Sequence, residues 1–372
     1  MDTFFAVSAP GLEEFTAFEL RSLGLEPAIE PGGVLFKGHP GDLYRANLHL
    51  RTASRVLARL GNFFYAVTFP ELQKRTSRLP WERFLTPGQP VTLRVSCHHS
   101  KLYHSDAVGR TVAAGLAERL GQTSPCIKVD EDSDQPGLLI VVRLADDKCT
   151  ISVDSSGVLL HKRGYRQAVA KAPLRETLAA ALIMVSGWDN VSPLIDPFCG
   201  SGTIPIEAAL MALNIPPGFH RKFAFMEWPG FDEALWASLL AEAGKGTRTT
   251  PLLLGSDRDA GAVKMAQANA ERARVAQFIE FKCQAVSAIS PGSQPGWVVT
   301  NPPYGVRVSE GKDLRNLYAQ FGNVLREKCI GWNLAVLCSD PSLLGQMRIK
   351  LDTSLSLVNG GIQVSVGRGR VG

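Results

Sequence analysis

Three short stretches carry the side chains best suited to chemistry: IDPFCGSGT (195–203), GSDRD (255–259) and TNPPYG (300–305). In the first, Asp196 closes an apolar run, and Gly200 and Gly202 fall in the turn that opens the next segment. Glycine there lets the backbone come close to a ligand. The dinucleotide fingerprint GxGxxG fails, because Pro205 stands in the third glycine's place, so no pyrophosphate grip is expected. In the second, Asp257 ends another apolar run, where a carboxylate can accept hydrogen bonds from ribose hydroxyls. Asp259 reads better as the cap of a helix beginning at 260. In the third, Asn301 and Tyr304 flank Pro302 and Pro303, which cannot continue a strand and stiffen the chain just past it. A planar exocyclic amine fits this pair. Tyr304 would stack on its ring, at about 1–3 kcal/mol. The Asn301 oxygen and Pro302 carbonyl would accept its N–H bonds and aim the nitrogen lone pair at an electrophile, so that positioning supplies most of the catalysis. Each motif alone also reads as a plain turn. Their occurrence in order, at successive strand ends, favours the chemical reading.

The elements that must hold these motifs follow from periodicity. Residues 172–188 read as a helix, and the segment after IDPFCGSGT as another. Apolar strand candidates at 251–257, 278–283, 296–301 and 333–340 alternate with helical stretches at 261–274, 314–328 and 342–349. That alternation predicts a parallel sheet covered on both faces. The chain closes with two strands about Asn359-Gly360, a hairpin signal. Residues 217–233, PGFHRKFAFMEWPGFDE, read as a long loop-like insertion.

The first half mixes strands and helices without a phosphate loop. Strands are expected at 3–9, 33–38, 62–69 and 90–97, with two more around the turn ADDK (145–148). Helices are expected at 11–24, 42–61, from about 70 to 84, and 105–120. This half reads as one or two small α+β modules ending near residue 155.

The motifs resemble the cofactor and substrate signatures of class I S-adenosylmethionine-dependent amino-methyltransferases. LHKRGYRQAVAKAPLRETLAAAL (160–182) and IPPGFHRKFAFMEWP (215–229) are similar to segments of a narrower group. These are the bacterial THUMP-domain RNA methyltransferases acting on guanine N2, related to the large-subunit ribosomal RNA enzyme and its tRNA homologues. SCHHSKLYHSDAVGRTVAAGLAERLG (96–121) resembles the THUMP core. The resemblance spans most of the chain. It implies a Rossmann-like α/β domain at 156–372, with a seven-stranded, mostly parallel sheet and a C-terminal antiparallel hairpin. A ferredoxin-like α+β module at 1–65 and a THUMP domain at 66–155 would precede it. It further implies S-adenosyl-L-methionine as cofactor, with Asp196, Phe198, Gly200, Gly202 and Thr203 along its methionine side and Asp257 on its ribose. Asn301, Pro302, Pro303 and Tyr304 would hold the target base, and Pro173 to Thr177 would lead into the pocket. Where the family commonly carries an acid near the adenine amine, this chain has Ala285, with Gln284 as a substitute.

The net charge of +5 identifies no partner by itself. Its distribution says more: residues 51–119 hold eleven Lys/Arg against four Asp/Glu. Basic stretches of this kind attract phosphate, and Lys101, Arg110, Lys162, Arg163 and Arg166 are the expected contacts to structured RNA, ribosomal or transfer. Seven dispersed cysteines without a CxxC pair suggest free thiols in a reducing cytoplasm. Cys199 reads as a small filler, because direct transfer to an amine needs no covalent intermediate. Adjacent His98 and His99 on a strand point to opposite faces, so no metal site is expected. No apolar run is long enough for a membrane span, and MDTFFAVSAPGLEEF lacks the pattern of an export signal. Two rival readings stand beside this one. The first is an NPPY-type enzyme acting on DNA adenine or protein glutamine. The second is a non-catalytic RNA-binding or assembly factor that keeps the fold. Oligomeric state is not legible.

Overall fold

The protein is described here by a computed structural model covering residues 1–126, 137–166, 174–243, 251–292, 294–304, 314–359 and 361–372. Pro173 and Gly360, named above, lie outside the described residues.

The N-terminal half builds one sheet from β1 (Asp2–Ser8), β2 (Ala28–Glu30), β3 (Gly33–Gly38), β4 (Ala53–Arg59), β5 (Phe64–Tyr65), β6 (Val91–His98), β7 (Leu138–Ala145) and β8 (Lys148–Asp154). Seven of these run in the order β2-β3-β1-β4-β8-β7-β6, and β5 pairs with β8. The two expected modules therefore share a single sheet, joined where β4 meets β8 with Leu57 opposite Asp154. Alternate residues such as Phe4, Ala6, Val56, Ala58, Val142 and Val153 are buried in one core with α1 (Glu13–Ser22), α2 (Pro40–His49), α3 (Phe69–Thr76) and α4 (Ser105–Leu120). Gly121, at φ 72°, ends α4 in the left-handed conformation that glycine tolerates.

Three expectations need correction here. The helix read over 42–61 is two elements, because α2 stops at His49 and β4 begins at Ala53. Ala53, Val56, Leu57 and Ala58 are all buried in a strand flanked on both sides, and such a strand carries apolar residues at spacings that mimic a helix. The strand expected at 62–69 shrinks to Phe64–Tyr65, and the helix expected up to Phe84 is α3 followed by a 3₁₀ turn at Trp81–Arg83. The insertion at 217–233 is loop-like as expected, irregular up to α7 apart from a 3₁₀ turn at Ala224–Glu227, and it packs as a strap onto the other half of the chain. Phe225 stacks on Tyr44 at 4.4 Å, Trp228 meets Phe84 edge-on at 4.7 Å, and Gly218 N–H donates to Leu48 O at 2.9 Å. Burial of each large ring contributes on the order of 2–3 kcal/mol. The helix that follows, α7 (Glu233–Ala243), places Trp236 in the same core.

The C-terminal half has the expected sheet. β9 (Leu194–Asp196), β10 (Leu253–Asp257), β11 (Ile279–Cys283), β12 (Trp297–Thr300) and β13 (Asn333–Cys338) are parallel neighbours in the order β11-β10-β9-β12-β13. β14 (Asp352–Asn359) and β15 (Ile362–Arg370) form the terminal antiparallel hairpin, with β15 against β13. The helices are α5 (Glu176–Val185), α6 (Thr203–Ala212), α8 (Ala260–Arg272), α9 (Arg315–Lys328) and α10 (Pro341–Gln346). Two apolar clusters cover the two faces, one around Leu182, Ile206 and Val299, the other around Val298, Phe321 and Leu334. The chain winds outward from β9 through β10 to β11, then returns to the opposite side of β9 as β12. That reversal is the switch point where doubly wound sheets open a crevice for ligands.

Candidate active site

The switch point collects the motifs. Adjacent strand ends along the order β11-β10-β9-β12 present Gln284, Asp257, Asp196 and Asn301 in turn. Asp196 is 1% exposed, and its Oδ1 accepts from Thr300 Oγ at 2.6 Å and from Phe198 N–H at 3.1 Å. Burial pushes its carboxyl up to about 7, partly countered by those hydrogen bonds, and the like charge of Asp257 adds to the rise. Asp257 braces the glycine loop: its Oδ2 accepts from Gly200 N–H at 3.0 Å and its Oδ1 from Asp259 N–H at 3.0 Å. Asp259 is a helix cap, accepting from the N–H groups of Gly261 and Ala262 at the start of α8.

The two glycines serve different ends. Gly202, at φ 84°, has no room for a side chain, since a Cβ would lie 2.9 Å from that of Ala266. Gly200, at φ 51°, faces open space, with nothing within 4 Å of where a Cβ would stand. A ligand can thus approach the loop at Gly200, while Gly202 packs it onto α8. Phe198 meets Phe321 edge-on at 5.2 Å. Thr203 turns away from solvent, and its Oγ accepts from the Arg166 guanidinium at 2.8 Å. Burial raises the Cys199 thiol well above its ordinary range, and Asp196 and Asp257 add to it, which holds the sulfur as a neutral thiol.

At the end of β12, Asn301 Oδ1 is buried without a hydrogen-bond partner among the described residues. An unpaired buried acceptor costs about 1–3 kcal/mol, a cost that a donor on a bound ligand would remove. Tyr304 is half-buried between the two apolar clusters, and its hydroxyl accepts from Asn359 Nδ2 at 3.1 Å. Pro302 is buried, and the Pro303 carbonyl is 3.4 Å from the Tyr318 hydroxyl. Gln284 Nε2 is a second orphan, a buried donor at the end of β11, while Ala285 is exposed. Gln284 N–H donates to Asp257 O at 2.9 Å, which ties the two strand ends together.

The donor set suits S-adenosylmethionine. Two neighbouring carboxylates favour a ligand bearing positive charge, here an ammonium and a sulfonium. An orphaned amide N–H and an open glycine turn complete the line along the strand ends. Thr300 and Asn359 escaped the sequence reading. Thr300 closes an apolar strand with an ordinary β-branched residue, and Asn359 reads only as a hairpin signal.

The expected phosphate contacts divide. Lys101 and Arg110 are exposed, and Lys162 is partly buried. Arg163 and Arg166 are corrected. Arg163 is 6% exposed, donates to the carbonyls of Leu160 and Arg51, and lies 3.7 Å from Glu207. Arg166 donates to Leu174 O at 2.6 Å and to Thr203, with Glu176 at 3.4 Å. Tyr165 completes the cluster, its hydroxyl 3.1 Å from Glu207. A surface arginine and a buried one look alike in one sequence, because only the fold brings Glu176 and Glu207 to them. Among the described residues no group of His, Cys, Asp or Glu could hold a metal, and no helix is long and apolar enough to cross a membrane.

Comparison with known proteins agrees with this geometry. Residues 3–57 match the RlmL ferredoxin-like domain, 66–154 the THUMP domain, and 163–365 the RMKL-like methyltransferase domain. A Synechocystis sp. protein named as a candidate RNA methyltransferase is 35% identical over 364 residues, covering 96% of this chain and 94% of its own. The crystal structure of SMU.472, a candidate methyltransferase complexed with SAH, is 31% identical with a TM-score of 0.88, covering 100% of this chain and 98% of that one. That of a Listeria monocytogenes protein, described as a predicted N6-adenine-specific DNA methylase, is 32% identical with a TM-score of 0.86, covering 98% and 95%. With its methyltransferase-domain match spanning more than half its length, the chain belongs to the RMKL-like methyltransferase family.

Proposed function

We propose that the protein methylates the exocyclic N2 amine of a guanosine in structured RNA, ribosomal or transfer, with S-adenosylmethionine as donor. The observation that carries this reading is the orphaned Asn301 oxygen at the end of β12, beside the strand that holds Asp196. An amine N–H is the donor such an acceptor lacks. The cofactor, when bound, supplies an electrophilic methyl group on a sulfonium. Asp196, held by Thr300, would take its ammonium, Asp257 its ribose, and Gln284 its adenine edge. Asn301 and the Pro302 carbonyl hold the amine by its protons and orient its lone pair. Tyr304, pinned by Asn359, would stack on the base. The rigid NPP backbone limits the entropy lost on ordering. A base drawn from a helix must be extruded, at a cost of a few kcal/mol.

RNA as the substrate is supported by the THUMP match and by the Synechocystis relative's name. The Listeria structure's description supports a second reading, DNA adenine, whose amine would suit the same acceptor. Labelled methyl transfer to RNA, DNA and protein fractions, followed by nucleoside analysis, separates them. N2-methylguanosine in RNA is expected, and N6-methyladenine in DNA would replace this proposal with the second. Asn301→Ala should lower turnover 100-fold or more, in line with the loss of an oriented polar contact at a reacting centre, while cofactor affinity changes little. Equal loss of both would remove Asn301 from the role given it.

A further inference from the structure

We infer that Asn269 is a positioning residue for the cofactor, holding the glycine loop in the shape that binds it. The inference rests on the placement of S-adenosylmethionine against the Gly200 turn. Asn269 sits in the last turn of α8 with no exposed surface. Asparagine is a poor helix former, and its amide is costly to bury unless both ends find partners. Both do. Its Nδ2 donates to Ser201 O at 2.9 Å, and its Oδ1 accepts from the Arg272 guanidinium.

Arg272 fixes which way the amide faces. Its Nε donates to Tyr165 O at 2.6 Å, which holds the guanidinium in place from outside α8. A guanidinium only donates, so the Asn269 oxygen must face it and the NH₂ group must face the loop. Turned over, the amide would set donor against donor at Arg272 and acceptor against acceptor at Ser201. With Ser201 O captured, the planar trans peptide points the Gly202 N–H the opposite way, where Cys199 O accepts it at 2.8 Å. Cys199 N–H in turn donates to Ser256 O at 2.9 Å, and Gly200 N–H to Asp257.

The turn is therefore held from two sides, by β10 through Ser256 and Asp257 and by α8 through Asn269. Ala266, three residues before Asn269 and so on the same face of α8, packs beneath Gly202 and sets the distance of the loop. Asn269 sets its tilt. The open side at Gly200 is left for the ligand. Without the Asn269 bond the loop samples other tilts, and apparent affinity falls by the fraction of time spent in the binding shape. Transfer from the bound cofactor is untouched, because binding itself puts the loop in place.

The test uses the full chain. Asn269→Asp keeps the size of the side chain and a carboxylate for Arg272 to pair with, yet turns an acceptor toward Ser201 O. Calorimetry should show affinity for S-adenosylmethionine down about 5- to 100-fold, the range that losing a buried hydrogen-bond partner converts to. In methyl-transfer assays the KM for the cofactor should rise by the same factor, with kcat at saturation and the KM for the methyl acceptor unchanged. Arg272→Met, on a partly exposed side chain, frees the amide without emptying the core and should act in the same direction. Thermal unfolding checks that both variants fold. A lower thermal midpoint with unchanged cofactor affinity makes Asn269 a packing residue and overturns the inference, as does a fall in kcat with KM unchanged. Failure of the cofactor placement looks different. Asp196→Asn would then leave affinity unchanged as well, whereas failure of this inference alone leaves Asp196→Asn weak and Asn269→Asp like the wild type.

Discussion

Asp196 offers the sharpest quantitative test. Its carboxyl is buried and held near 7, yet the role assigned to it, receiving the cofactor's ammonium, requires the carboxylate. Binding must then include its deprotonation, so affinity for S-adenosylmethionine falls as pH drops below 7. The penalty is the factor 1 + 10^(7 − pH), about 11-fold at pH 6 and about 100-fold at pH 5 relative to pH above 8. Stability runs with the same proton. A carboxyl whose folded value is raised above its unfolded one stabilises fully below about 4, and that contribution is lost as pH rises through about 7. The ligand-free protein should therefore lose stability over the interval in which it gains cofactor affinity. Titration calorimetry with S-adenosylmethionine between pH 5 and 8 measures the first trend, and thermal unfolding without ligand the second. Asp196→Asn should bind weakly at every pH and show no slope over this range. An affinity constant from pH 5.5 to 8 in the wild-type protein, or the same slope in the Asn variant, would refute the assignment.

Other outcomes follow from single contacts. Asp257→Ala removes the acceptor for Gly200 N–H together with the proposed ribose contact, so calorimetry should show cofactor affinity down about 10- to 100-fold. Arg163→Ala leaves Glu207 buried without its cation, and unfolding should show a loss of about 3–5 kcal/mol; a surface role in RNA binding would cost almost nothing. Gly202→Ala forces a methyl to 2.9 Å from Ala266 at a positive φ, and a lower thermal midpoint with weaker cofactor binding is expected. RNA affinity should fall steeply with salt, and Lys101→Ala or Arg110→Ala should each reduce the log–log slope by about one. A flat salt response would discard the phosphate contacts.

Much of the site was legible because its residues sit at strand ends, where an apolar run stops and a polar side chain must begin. Asp196, Asp257 and Asn301 each mark such a boundary, and Gly200 and Gly202 announce the turn between β9 and α6. The parallel sheet and terminal hairpin were legible for a related reason: period-two and period-3.6 patterns are local and survive without knowledge of neighbours.

Tertiary structure alone decided which polar groups face each other. Arg163 and Arg166 belong to a basic run in the sequence, yet Glu207 and Glu176 draw them inward, since a buried carboxylate requires a cation and only folding supplies it. Asn359 pins Tyr304 from 55 positions away, and Thr300 steadies Asp196 across 104. The aromatic run at 217–233 carries no local sign of its destination, because the core it fills is built by the other half of the chain. Local pattern outlined the C-terminal sheet, while burial within the sheet decided that 53–59 is a strand, and the pairing of distant polar and apolar groups, which depends on shared burial, decided which side chains meet.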